Sequence, residues 1–468
     1  MLQGFGPELK FINELTDRFA KRNKRLYMVG GAVRDYLLSQ TNRDHPEQVF
    51  TPDDLDLTTD ALPDEVEEIL KGWSDAKWAV GKRFGTIGAE KAGFKFEITT
   101  HRAESYTNDS RKPVVKYSDS IEEDLSRRDF TINSMAFELI PSGSPVLIDP
   151  FGGLSDLMAG VLKTPLSPTE SFSDDPLRML RAARFVARFN LKPDGALVTA
   201  MGKLKSRLEI VSKERIRDEF DKLIVLPEVS SGLWLLVETG VIDEFIPEIP
   251  ALKLEQDPIH RHKDVLSHTI AVTEKTSPDK ILRLAALFHD IGKPATREIG
   301  PEGVSFYFHD VVGSRMTKAR MKELKYPAEE IEKVSRLVYL HLRFHGFETG
   351  WTDRAVRRYV RDAGELLDEL NELTLCDSTT RNENKARRLR EKMNELVLRI
   401  AALKEKEELD AIRPDLDGIE VMEILGLRPG REVGEALDFL MELRMDEGPL
   451  GKVEASRRLL AWFSSKGN

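Results

Sequence analysis

Apolar positions recur at two different spacings along this chain, and the change from one to the other divides it. Leu9, Ile12, Leu15 and Phe19 fall on one helical face across residues 8 to 20. "RLYMVGGAVRDYLL" then reads as a strand, a glycine turn and a helix. From residue 51 to residue 150, short β-like runs dominate: "DDLDL", "TIGAEKA", "FKFEITT" and "SPVLIDP". Helical stretches lie between them, so a mixed sheet in an α/β domain is expected. Beyond "DPFGG" the period lengthens. From Asp175 nearly every segment repeats at helical spacing, with short turns at Pro227, Gly240, Pro247 and Pro250. The expected architecture is a multidomain α+β chain, with a small sheet-containing head followed by a long all-helical body. "RNENKARRLREKMNELVLRIAALKEKEELD" carries the apolar stripe Leu389, Met393, Leu396, Ile400 and Leu403, which predicts a bundle or hairpin helix with its charges solvated.

The same periodicity sorts the acids of "TPDDLDLTTD". As a strand, "DLDL" puts Asp54 and Asp56 on one face and Leu55 and Leu57 on the other. Asp53 and Asp60 read as loop charge. Two carboxylates about 7 Å apart along a strand repel each other unless a cation joins them, and a hard divalent metal suits oxygen ligands. Alone, the pair is more often two solvated acids. In "FKFEITTHR", Phe94, Phe96 and Ile98 face one way and Lys95, Glu97 and Thr99 the other, so Glu97 can join the pair. Gly30 and Gly31 end a strand before a helix that carries Arg34, where backbone N–H groups can cradle phosphate. A phosphate cradle beside a carboxylate metal site is the equipment of phosphoryl or nucleotidyl transfer. In "SFSDDPLRMLRAARFVARF", Asp174 or Asp175 can act as N-cap with Pro176 at the first helical position. Arg178, Arg181, Arg184 and Arg188 then form a basic ridge.

Composition narrows the classes. The 468 residues leave room for about three domains. Seventy Lys and Arg against 80 Asp and Glu give a net charge of -10, which argues against a surface that coats nucleic acid generally but permits a local basic stripe. Cys376 is the single cysteine, so disulfides within the chain and thiolate zinc sites are excluded, as befits a reducing compartment. No signal-peptide apolar run and no membrane-length stretch is present, so a cytoplasmic protein without membrane partners is expected.

"VGGAVRDYLL", "DDLDLTTDA", "EITTHR", "EEDLSRRDFTINSMAF", "IDPFGGLSDLMAGVL" and "DDPLRMLRAARFVARF" follow one another in an order that resembles the class II tRNA nucleotidyltransferases. These are the bacterial CCA-adding enzymes and their close poly(A) polymerase relatives, and the resemblance spans residues 25 to 250. It implies a nucleotidyltransferase-fold head (1–160), a helical neck binding nucleotide and RNA (161–250), an HD-type body (251–380) and a helical tail (381–468). It also implies Asp54 and Asp56 as a catalytic, Mg2+-binding pair with Glu97 as third acid. Gly30, Gly31, Arg34 and Arg128 match nucleotide-contacting positions, and Asn133 falls in the same motif. The residues matching Asp175 and Arg178 read the incoming base, although Asp174 stands where the family usually has Glu. Arg181 and Arg184 would hold phosphate or the base edge from the same helix. The implied partners are tRNA, ATP and CTP. "TNDSRKP" resembles the family's head loop, with Arg111 a primer or nucleotide contact.

A second pattern, His268, His289-Asp290 and Asp377, resembles the ligand set of HD domains, which hydrolyse phosphoesters with a divalent transition metal or Mg2+. His309 and His341, or His345 instead of the latter, fall where some HD hydrolases add ligands. His260 and His262 read as surface or outer residues.

Overall fold

The computed structural model describes residues 8–41, 55–79, 82, 85–105, 114–253, 264–300, 303–346, 351–378, 383–406 and 412–466. Asp53, Asp54, Arg111 with its loop, His260 and His262 lie outside the described residues, as does the side chain of His345. The chain divides into two compact units, Met1–Leu223 with Ser231–Phe245, and Ile224–Ser230 with Ile246–Asn468.

In the first unit the strands are β1 (Leu26–Val29), β2 (Leu55–Thr59), β3 (Ala76–Trp78), β4 (Thr86–Lys91), β5 (Phe94–Thr100), the separate hairpin β6 (Arg102–Ser105) and β7 (Val114–Tyr117), β8 (Ala136–Glu138) and β9 (Val146–Ile148). Its main sheet runs β3-β4-β5-β2-β1-β8-β9. Only the β2–β5 pairing in it is parallel, so the expected mixed sheet is what forms. Alternation sets the faces. Leu55, Leu57, Phe96 and Ile98 are buried, while Asp56, Lys95 and Glu97 are exposed. Tyr27, Val29, Ile121, Leu125 and Ala136 form a core cluster, with Ile148 and Phe151 packed against it.

The helices of this unit are α1 (Glu8–Ala20), α2 (Gly31–Thr41), α3 (Pro63–Leu70), α4 (Ile121–Ser126), α5 (Gly153–Ala159), α6 (Pro168–Asp174), α7 (Arg178–Phe189), α8 (Gly195–Leu204), α9 (Lys213–Ile224) and α10 (Ser230–Glu238). A short parallel pair, β10 (Val161–Leu162) and β11 (Lys192–Pro193), joins the ends of the segments flanking α6 and α7. The expected cap of α7 is not what forms. Asp174 ends α6, Asp175 is the C-cap of that helix, and Pro176 lies in the turn before Leu177, the N-cap of α7. Two helices meet in a tight turn here, and proline fits that turn as readily as it fits a first helical position.

The second unit is built from α11 (Val265–Lys275), α12 (Lys280–Phe288), α13 (His309–Glu323), α14 (Ala328–Leu340), α15 (Asp353–Ala363), α16 (Leu367–Asp377), α17 (Glu383–Lys406), α18 (Gly418–Leu425), α19 (Arg431–Glu447) and α20 (Lys452–Lys466). One small hairpin, β12 (Glu298–Gly300) with β13 (Gly303–Ser305), interrupts a region read from sequence as helical. Met393, Leu396, Ile400 and Leu403 are buried on α17, as the stripe predicted. Arg283 is 1 % exposed and donates to the carbonyl oxygens of Thr276, Ile224, Leu226, Pro227 and Glu274, so one side chain ties α12 to the end of α11 and to residues 224–227. α18 to α20 close over Leu416, Val421, Val433, Ala436, Leu440, Ala455 and Leu459, with Phe439 and Trp462 stacked at 4.8 Å.

Candidate active site and metal centre

The head site begins where β2 and β5 run side by side. Asp56 and Glu97 are register partners in that parallel pair and both are exposed, so their carboxylates share a face of the sheet. Gly30 supplies the turn between β1 and α2 with φ +72°, a conformation that side chains strain to adopt. A Cβ at Gly30 would lie 3.1 Å from Arg128 Nη1 and 3.7 Å from Asp56 Oδ2. Backbone, arginine and carboxylate thus converge at that turn. Arg34, one helical turn on, is buried instead. It donates to Asn133 Oδ1 at 2.5 Å and to Asp35 Oδ1 at 2.7 Å, and its guanidinium lies 4.4 Å from the Phe189 ring centre.

A cleft of about 380 Å³ opens beside Asp56, and Arg102, Arg127, Arg128, Arg178, Arg181 and Arg215 line it against the acids Asp56, Asp129 and Asp175. That excess of guanidinium suits a polyanion. Two buried acids, neither anticipated from sequence, set these arginines. Asp124 is fully buried and pairs with Arg127 at 2.8 Å and Arg128 at 3.3 Å. Asp129 accepts from Arg181 Nε at 2.8 Å and from Asn133 Nδ2 at 3.0 Å, and Asn133 in turn accepts from Arg34. In "EEDLSRRD" the signal for Asp124 was present: arginines three and four residues on are the helical ion-pair spacing.

Burial pushes the Asp124 carboxyl up, but Arg128 and Arg127 outweigh it and hold the group at about 2. A folded pKa below the ordinary value of 3.8 means that this group stabilises the fold above pH 4 and ceases to do so as pH falls towards 2. Removing that term, Asp124→Asn is expected to flatten the acid limb of the urea-unfolding midpoint against pH, by about 2 kcal/mol between pH 5 and pH 2. An unchanged acid limb contradicts it.

The α6–α7 turn delivers two more groups. Asp175 Oδ1 accepts from the Leu177 backbone N–H at 3.2 Å, and Arg178 donates to Ser171 Oγ at 2.8 Å and to the Arg127 carbonyl oxygen. Asp175, Arg178 and Arg181 all line the cleft, whereas Asp174 lines a separate pocket of about 170 Å³ that shares Arg127, Arg128 and Arg178 with it. Arg184 is not among the cleft's lining residues. It is buried, with Nε 2.5 Å from Glu219 Oε1, itself buried on α9. Each three-residue step turns a helical side chain back by about 60°, so Arg184 faces about 120° away from Arg178. Arg184→Ala removes the close buried partner of Glu219 and leaves it only Lys222 at 3.9 Å, and is expected to cost about 3 kcal/mol in chemical denaturation.

The second unit gathers the other predicted group. His268 comes from α11, His289 caps α12 with Asp290 next to it, and Asp377 ends α16. His309 begins α13 and His341 caps α14, and the structure brings both into the same centre. The donor atoms form two triads, His268–His289–Asp377 and Asp290–His309–His341, each within 4.8 Å. Asp290 reaches towards both, with Oδ2 3.3 Å from His289 Nε2 and Oδ1 3.5 Å from His309 Nε2. His289, His309 and His341 each place Nδ1 2.6–2.8 Å from the carbonyl oxygen three residues back, which fixes Nδ1–H and leaves Nε2 as the donor atom. His289 Nε2 is buried and forms no hydrogen bond of good geometry among the described residues.

Burial disfavours charge on His289, yet Asp290 and Asp377 overcome it and lift the imidazole to about 10. Burial, joined by repulsion from His289, lowers His341 to about 4. Against the upward push of burial, Asp290 and Asp377 stay well below the usual carboxylate range. Such a centre calls for a positive charge, and its mixed imidazole and carboxylate donors fit divalent metal. Gly292 lets the centre close: a Cβ there would meet the His309 carbonyl oxygen at 2.2 Å and the Gly313 N at 2.7 Å.

Family models match in three stretches: "Poly A polymerase head domain" over residues 26–163, "Probable RNA and SrmB- binding site of polymerase A" over 190–252, and "HD domain" over 265–403. An A-adding tRNA nucleotidyltransferase of Deinococcus radiodurans is 31 % identical across 89 % of this chain and 91 % of its own length. The chain belongs to the tRNA nucleotidyltransferase family. A second member, the CC-adding tRNA nucleotidyltransferase of Thermus thermophilus, is 30 % identical across 94 % of both chains. A CCA-adding enzyme of a Geobacillus species is 40 % identical over 46 % of this nucleotidyltransferase and 49 % of its own length. The crystal structure of the Bacillus stearothermophilus CCA-adding enzyme in complex with CTP shares the fold, with a TM-score of 0.68, 22 % identity and 99 % of both chains covered. No helix among the described residues is long and apolar enough to cross a membrane.

Proposed function

We propose that this nucleotidyltransferase adds C and A, from CTP and ATP, to the 3′ end of tRNA in the cytoplasm without a template. The observation that carries this reading is a cationic cleft lined together by Asp56, Asp175 and Arg178. Cytosine and adenine both present an amino donor beside a ring-nitrogen acceptor. The Asp175 carboxylate takes the donor and the Arg178 guanidinium supplies the acceptor with a proton. Uracil and guanine present the reverse order and leave both groups mismatched. Arg128 and Arg181 neutralise the triphosphate, and the backbone at Gly30 and Gly31 approaches it closely. Arg34 supports that wall through Asn133 and Asp129. The 3′-oxygen of the tRNA loses its proton and bonds to the α-phosphorus, and the bond from that phosphorus to the pyrophosphate oxygen breaks. Mg2+ bound by Asp54 and Asp56, with Glu97 as the third acid beside them, would supply the charge that activates the attacking oxygen and neutralises the leaving group.

The proposed division of labour is a catalytic head (1–160), a nucleotide- and RNA-binding neck (161–250), a metal-binding body (251–380) and a tail (381–468). For the body we propose hydrolysis of phosphoesters, with a divalent transition metal or Mg2+ held by the two triads. Support comes from the six convergent donors. The test of the main reading is incubation of a tRNA transcript lacking its 3′ end with CTP, ATP or both, then sequencing of the products. Ordered C-C-A with termination is expected. Addition of C alone, of A alone or of long A tails overturns it.

A further inference from the structure

Four residues stand in one row across the open face of the main sheet. Asp56 on β2 is the register partner of Glu97 on β5, Glu97 that of Gly88 on β4, and Gly88 that of Trp78 on β3. Ile87, Ala89, Phe96 and Ile98 flank them along the strands and are buried on the other face, so the row is no part of that core. Gly88 lets the two ends of the row approach. A Cβ there would meet Nε1 and Cε2 of Trp78 at 2.0 Å and Cδ1 at 2.7 Å. The indole thus leans from the edge strand over β4, to within about 5 Å, one strand spacing, of the strand that carries Glu97. Beyond Asp56, at the other end, come the Gly30 turn and Arg128.

We propose that Trp78 holds the 3′-terminal nucleotide of the tRNA by stacking on its base, and so sets the attacking hydroxyl beside Glu97 and Asp56. The inference rests on the proposed nucleotidyl transfer at those acids and deepens it. In-line displacement puts the attacking oxygen and the leaving pyrophosphate on opposite sides of the phosphorus. Guanidinium is concentrated on the Gly30 and Arg128 side of Asp56, which is the side for the triphosphate. The attacking end then arrives from the opposite side, across Glu97, where the row finishes in an indole. Trp78 does not line the arginine-rich cleft, so a base resting on it belongs to the primer and not to the incoming nucleotide. A growing primer also favours stacking over hydrogen bonding. Ordered addition changes the terminal base from step to step, and hydrogen bonds fitted to one base would reject the next. Every base has a π face, so an indole accepts them all. Ala76 and Lys77 beside it on β3 are exposed and Trp78 itself is half-buried, which leaves part of the side chain open to solvent.

The experiment measures kcat, KM for tRNA and KM for CTP with Trp78→Ala, Trp78→Phe, Trp78→Leu and Asp56→Asn beside the unaltered protein. The primers are a tRNA transcript lacking its 3′ end and the same transcript with no base on its last nucleotide. Trp78→Ala is expected to raise KM for the ordinary transcript by about tenfold, with KM for CTP and the unfolding midpoint unchanged. Trp78→Phe keeps an aromatic ring and should recover most of the loss, whereas Trp78→Leu, apolar but without a π face, should not. The baseless primer should show the raised KM already with the unaltered protein, and Trp78→Ala should then add nothing. An unchanged KM for tRNA in Trp78→Ala, beside an inactive Asp56→Asn, overturns the role of Trp78 and leaves that of the acids. Normal turnover by Asp56→Asn overturns the assignment beneath both. A rise in both KM values with a lowered unfolding midpoint, or a baseless primer that Trp78→Ala still penalises, shows a structural part and also overturns the proposal.

Discussion

Asp56→Ala is expected to cut nucleotide incorporation by about a thousandfold or more while leaving the unfolding midpoint within experimental error. The side chain is exposed on the sheet face that it shares with Glu97, so no core packing is lost. Its carboxylate stands beside the Gly30 turn and Arg128, where the reacting phosphorus must sit if the triphosphate occupies the arginine-lined cleft. Removing one hard oxygen ligand forfeits several kcal/mol of transition-state charge stabilisation, and each 1.4 kcal/mol, or thereabouts, is a decade in rate. Asp56→Asn keeps the shape but loses the charge, and should fall nearly as far. Primer extension of a truncated tRNA measures both. Near-normal turnover by either variant removes Asp56 from the chemistry.

The second large effect concerns the body. Asp290→Ala should strip the protein of bound transition metal, measured by elemental analysis after purification in Mn2+ or Ni2+, and leave nucleotide addition intact. Asp290 faces both triads, so its loss is felt by every donor, and affinity should drop by about a hundredfold or more. Lys293 Nζ, 2.7 Å from Asp290 Oδ2, is then left beside the imidazoles without its partner. Asp290→Asn, which preserves volume, separates metal loss from unfolding. Full metal content in both variants rules the centre out.

Much of this was legible in the chain. The period-2 pattern of "DLDL" and "FKFEITT" placed Asp56 and Glu97 on one face, and the register of β2 on β5 then made them neighbours. The pattern was readable because one side of each strand is packed and the other is not. His309 and His341 were harder to rank. Each stands at a helix end some distance along the chain from His289, and only the packing of α12, α13 and α14 brings them together. Arg184 misled because a row of arginines looks like one surface, although a three-residue repeat drifts around the helix into the interior. Asp124 and Asp129 escaped notice for the opposite reason. Acids beside arginines read as ordinary surface charge, and burial alone distinguishes them.

Those two acids have a consequence for behaviour in salt. Counter-charges seated beneath the cleft are screened far less than groups in open water, so Arg127, Arg128 and Arg181 should keep their posture at ionic strengths that detach an RNA backbone held by surface cations. Raising salt should therefore weaken the hold on tRNA well before it blurs the choice among nucleotides. At high salt the enzyme becomes a poor binder of its primer but keeps an unaltered eye for the base.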